Sequence, residues 1–105
     1  MSEPKTLSGT IKTTGTEPSN SILFSFGNHT YTLVSKETCQ PFVTISATLT
    51  YNSDDQLTGD RRATGTVGNS VNFTFENGPT AVGTLANPIA PQCTPQGNGT
   101  WNKGE

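Results

Sequence analysis

The chain is short of charge, of histidine and tryptophan, and of long apolar runs. Only 13% of its 105 residues are charged, the net charge is -2, and Arg61-Arg62 is the one adjacent pair of bases. There is no basic stripe to neutralise a phosphate backbone, so nucleic acid is not an expected partner. Apolar runs such as ILF at 22–24 fall far short of the ~20 residues that cross a bilayer as a helix, and no membrane span is expected. His29 is the single histidine, which excludes a multi-histidine metal site and leaves one candidate imidazole base. Neither a nucleophile elbow nor a phosphate loop is present, and no cofactor is expected.

What fills the chain instead is neutral polarity: Thr and Ser alternating with apolar residues, and Gly and Asn between those runs. Thr suits strands, and Gly and Asn suit the turns that join them. In FVTISATLTY at 42–51, Val43, Ile45, Ala47, Leu49 and Tyr51 alternate with mostly polar positions. Ile22, Phe24 and Phe26 alternate in the same way, as do Val71, Phe73 and Phe75, while a helical period is nowhere sustained. The expected fold is all-β, a single domain over 1–105: a small antiparallel barrel or two-sheet sandwich of about eight short strands. The triplets Gly9-Thr10-Ile11, Gly65-Thr66-Val67, Gly83-Thr84-Leu85 and Gly99-Thr100-Trp101 give a rhythm that resembles the strands of avidin-like and lipocalin-like barrels. That likeness is one of rhythm alone and carries no ligand or site residue.

Register follows from placing apolar residues opposite one another. A two-residue turn at Gly27-Asn28 sets Phe26 against His29, Phe24 against Tyr31 and Ile22 against Leu33. Continuing through Cys39, the next expected pairing sets Leu33 against Val43, Tyr31 against Ile45 and His29 against Ala47. A three-residue turn at Gly68-Asn69-Ser70 sets Val67 against Val71, Gly65 against Phe73 and Ala63 against Phe75, and the turn before Thr80 sets Phe73 against Val82. Gly83 is a candidate bulge, which leaves the direction of Leu85 open. The outcome is two similar three-strand meanders, each followed by a cysteine and one further strand, the last being a short segment at 99–101.

Cys39 and Cys93 are the only cysteines. A well-separated pair in a Thr-rich β-domain fits a structural disulfide formed in an oxidising compartment. On the chain-entropy account, closing a loop of about 55 residues stabilises the fold by about 4 kcal/mol. The opening MSEPKTLSG lacks the apolar core of a secretory signal, which leaves an intracellular protein or a secreted one whose signal was removed. The cysteines favour the second, an extracellular or cell-surface location. Sequons at Asn28, Asn72 and Asn98 add little, because chance supplies several in a chain rich in Asn and Thr.

Four aromatic and imidazole side chains, Tyr31, Tyr51, Trp101 and His29, are the candidate ligand contacts. Rings beside neutral polar groups build many carbohydrate and peptide sites, and equally often plug barrel ends. Asn52, Asp54, Gln56, Thr58 and Asp60 alternate as oxygen carriers in a loop, the spacing of a weak calcium candidate. Leu57 stands where such a loop wants glycine and Ala63 where it wants glutamate, so a solvated hairpin loop is the stronger reading and no metal is expected. The proline-rich ANPIAPQCTPQGN at 86–98 reads as a rigid lip beside Cys39-Gln40-Pro41, placed to shape a groove with Trp101 or Phe42.

The functional expectation is therefore a non-enzymatic secreted or surface-exposed binding module for a carbohydrate, peptide or small apolar ligand. The alternative is a structural or assembly protein of a surface or virion, self-associating through edge strands. A small hydrolase using Asp54, Asp60, Glu76 or His29 has least support, since it requires two of these groups to meet in one cleft.

Overall fold

The computed structural model describes residues 4–14, 19–89 and 92–103. The opening Met1-Ser2-Glu3, and Ala90 and Pro91 of the proline-rich segment, lie outside the described residues. Eight strands follow in order: β1 (Lys5–Thr13), β2 (Ser19–Phe26), β3 (His29–Cys39), β4 (Thr44–Tyr51), β5 (Gly59–Val67), β6 (Ser70–Phe75), β7 (Thr80–Leu85) and β8 (Gln96–Lys103). A 3-10 turn, Asp54–Leu57, separates β4 from β5.

The strands close into an antiparallel barrel in the order β1-β2-β3-β8-β5-β6-β7-β4, with β4 returning to pair with β1. Two meanders are present, β1-β2-β3 and β5-β6-β7. Each is completed by a strand that returns beside its own first member, β4 beside β1 and β8 beside β5. Both halves are thus Greek keys, unlike the up-and-down order of lipocalin-like barrels. Closure pairs every strand on both sides. Self-association through edge strands therefore has no full-length free strand among the described residues to use, and only overhanging strand ends remain for it.

Both crossing connections, β3 to β4 and β7 to β8, span the same end of the barrel. The disulfide Cys39–Cys93 ties them together there, with Cα atoms 5.8 Å apart. Backbone bonds hold the same connections to the strands they pass: Val67 and Cys93 exchange N–H···O bonds of 2.7 and 2.8 Å, and Thr13 N donates to Phe42 O at 3.1 Å.

The interior is filled. Phe24, Phe26, Tyr31, Phe73, Phe75, Ile11, Ile22, Leu33 and Leu49 are fully buried. Phe24 stands at the centre of the rings, its centroid 4.8 Å from Phe73, 5.5 Å from Tyr31 and 5.7 Å from Phe75, all edge-to-face. An eight-stranded barrel is just wide enough for side chains to fill. Space for so many rings comes from glycine: Gly9, Gly65 and Gly99 lie beneath the rings of Phe26, Phe73 and Tyr31, where an added Cβ would come within 2.7, 2.5 and 2.5 Å of ring atoms. The same Cβ atoms would overlap the carbonyl oxygens of Ser25, Asn72 and Thr32. The Gly-Thr-apolar rhythm thus puts glycine and the apolar residue inward and threonine outward.

The β2–β3 and β5–β6 registers are as the sequence indicates, including Phe24 against Tyr31 and Gly65 against Phe73. Three expectations are corrected. First, β3 does not pair with β4. Its second neighbour is β8, so Tyr31 faces Trp101 and His29 faces Lys103, while β4 lies between β1 and β7. Second, Val43 and Ile45 point outward. A bulge at Ile45, between the pairs Thr44↔Leu85 and Ser46↔Thr84, shifts the alternation by one residue, and Ile45 is 69% exposed. Thr44 turns inward in their place, and its hydroxyl accepts a bond from Ile11 N at 3.0 Å, which is why a polar side chain is tolerated there. Third, Phe73 faces Ala81, not Val82. The turn closes through Phe75 N to Pro79 O at 2.9 Å, one residue out of step with the expected pairing, which leaves Val82 in solvent and Leu85 buried. The bulge belongs to β4, opposite the strand that carries Gly83.

Candidate functional site

Inward alternation on β3 and β8 buries three of the four candidate contacts at one seam. Tyr31 is fully covered, Trp101 is 4% exposed and His29 7%. Tyr31 packs against Trp101 and Phe75 with centroids 5.0 and 4.9 Å away, and its hydroxyl donates to Arg61 O at 2.6 Å. It reaches that carbonyl because Gly99, on the strand between, has no side chain to block the ring. Burial, with the Glu76 charge adding to it, pushes the Tyr31 phenol well above its ordinary value of 10.0 and keeps it a neutral donor. His29 Nδ1 and Trp101 Nε1 have no hydrogen-bond partner among the described residues. Tyr51 is buried on β4, which the strand order sets across the barrel from β8. All four side chains are buried in the barrel.

The other sequence candidates are scattered. The Gln56 carboxamide closes its own turn, its oxygen accepting from Asn52 N at 2.7 Å and its nitrogen donating to Asn77 O at 2.8 Å. Asp60 has left the loop for β5, where Thr100 donates to its Oδ1 at 2.6 Å. The side-chain oxygens of Gln56, Thr58 and Asp60 are thus taken by separate partners. Glu76 Oε1 accepts from Arg62 N at 2.8 Å, away from His29, whose neighbours in register are Phe26 and Lys103 rather than Ala47. The proline-rich segment does reach Cys39, but Trp101 lies toward the opposite end and Phe42 is buried against Thr13, so the expected lip-and-tryptophan groove does not form.

A groove exists elsewhere, on the outside of the barrel along β8. Strand β8 is longer than the expected 99–101 segment, and its outward residues Asn98, Thr100 and Asn102 form a polar row. Strands β3 and β5 flank it in register: Thr32, Thr100 and Asp60 make one rung, Val34, Asn98 and Arg62 the next, and Thr30 pairs with Asn102. Thr32, Val34, Asp60, Asn98, Thr100 and Asn102 line a shallow groove of about 500 Å3 that is largely open to solvent. Chemically it pairs an apolar floor, the exposed Val34 with the threonine methyls, with a carboxylate, two carboxamides and two hydroxyls. Asp60 Oδ2 remains as an acceptor beside the bonded Oδ1, and each carboxamide offers both a donor and an acceptor. Of these residues the sequence singled out Asp60, as part of a loop and as a hydrolase carboxylate, and Asn98, as a sequon.

No family model, curated protein or solved structure matches the chain.

Proposed function

We propose that this protein is a non-enzymatic, secreted or surface-exposed binding module whose groove over β3, β8 and β5 takes a carbohydrate. The observation that carries the reading is the groove's mixed lining set against a filled interior. A sugar presents C–H faces and hydroxyl edges together, and Val34 with the threonine methyls suits the first while Asp60, Asn98 and Asn102 suit the second. A small apolar ligand would want an open lumen, which the aromatic core occupies. The disulfide supports an oxidising location. Asn98 is also a sequon asparagine, and a glycan there would fill the groove, so the test uses protein made without N-glycosylation.

A glycan array followed by calorimetric titration of its best hit is expected to find a carbohydrate whose affinity falls roughly ten- to hundredfold in Asp60→Ala. Asp60 is exposed and the variant loses one surface hydrogen bond from Thr100, so folding stability should fall by no more than about 1 kcal/mol. A blank array, or full binding by the variant, would overturn the reading.

A further inference from the structure

The groove has a charged annex toward the disulfide end. Lys36 on β3 and Arg62 on β5 flank Gln96, Gly97 and Asn98 of β8 around a concavity of about 110 Å3 that shares Asn98 with the groove. Alternation makes this arrangement: Ser35 and Ala63 are the buried neighbours, so Lys36 and Arg62 point out on either side of β8. No carboxylate among the described residues lines the annex. Glu76, bonded to Arg62, is turned to its backbone amide, and Asp60 lies one rung further along β5 with Thr100. Two cations and two carboxamides around so small a volume suit a single sulfate or carboxylate group rather than a sugar ring.

We propose that the carbohydrate is an acidic one, and that its carboxylate or sulfate sits between Lys36 and Arg62 while its neutral part runs over Asn98 and Thr100 toward Asp60. This inference rests on the carbohydrate reading of the groove. The charges also set the direction of binding. Residues two apart on a strand are spaced by roughly 6.7 Å, so an anionic group placed at the Asp60 rung would be repelled and one at the Arg62 rung attracted. The acidic end of the ligand points toward the disulfide.

Two titrations test the site and the ligand separately. Sodium sulfate added at constant ionic strength is expected to shift the NMR amide signals of Gly97 and Asn98 in the wild type and to leave them unmoved in Lys36→Gln and Arg62→Gln. Both side chains are exposed, so the variants should fold. No shift in the wild type, or an unchanged shift in the variants, overturns the anion site. In the second titration, sulfated, uronic-acid and neutral oligosaccharides of matched length are compared. An acidic form is expected to bind at least about tenfold tighter than the neutral one, and Lys36→Gln should remove that preference while leaving neutral binding unchanged. Equal affinity for neutral and acidic forms overturns this inference and leaves the groove reading standing. A sulfate response with no oligosaccharide binding of any kind overturns both, leaving an anion site alone.

Discussion

Replacing Phe24 by alanine should destabilise the fold by about 3–5 kcal/mol, whereas replacing Ile45 by alanine should change stability by less than about 0.5 kcal/mol. Phe24 is fully buried and makes edge-to-face contacts with three other rings, so its removal leaves a cavity where Tyr31, Phe73 and Phe75 meet. Small domains are stable by only about 5–15 kcal/mol, so this single change consumes a large part of the total. Ile45 is as apolar as Phe24 and stands in an equally regular alternation, yet the bulge in β4 exposes it. Urea denaturation of the two variants, followed by circular dichroism, separates them. Comparable losses would mean that Ile45 is a core residue and that the bulge is misplaced.

The second large effect is expected at the disulfide. The double variant Cys39→Ser, Cys93→Ser should lose about 2–4 kcal/mol, which for a domain near this size lowers the melting temperature by roughly 10 °C or more. Most of this arises in the unfolded chain, where the bond closes a long loop between residues 54 apart. Position adds to it: Cys39 ends β3 and Cys93 precedes β8, so the bond joins the two connections that cross one end of the barrel. Melting the oxidised protein beside the double variant by circular dichroism checks the effect. A difference below about 1 kcal/mol would show that hydrogen bonds such as Val67 with Cys93 already hold the crossings.

The sequence makes the local pairings readable and hides the long-range ones. The Gly27-Asn28 and Gly68-Asn69-Ser70 turns fix register because few alternatives keep Phe24, Phe26, Phe73 and Phe75 on one face. Beyond the hairpins that constraint disappears. Tyr31 opposite Ile45 and Tyr31 opposite Trp101 are both apolar pairs, so alternation cannot choose between β4 and β8 as the neighbour of β3. Ile45 misleads for another reason, since a bulge inserts one residue without changing the apolar pattern. The cysteine pair is legible because only one bridge is available between two cysteines.

The groove follows the same logic. Asn98, Thr100 and Asn102 read as an alternating polar row, but such a row on a strand ordinarily faces solvent and does nothing else. It lines a groove only when Thr32 and Val34 from β3, and Asp60 from β5, are brought alongside. Those strands are far apart in the chain and meet only through the Greek-key return of β8. The rings that drew attention in the sequence, Tyr31 and Trp101, lie on the inner side of this same wall. Both rings pack in the core, and the Tyr31 hydroxyl donates to Arg61 O.

As proposed, the carbohydrate is held on the outer wall of the barrel and not in its lumen. NMR chemical-shift perturbation by a bound carbohydrate separates the two. The largest shifts are expected at Thr32, Asn98, Thr100 and Asn102, with the inward core residues Phe24, Leu49 and Phe73 little affected. Shifts concentrated at those inward residues, with the outer row unmoved, would contradict it.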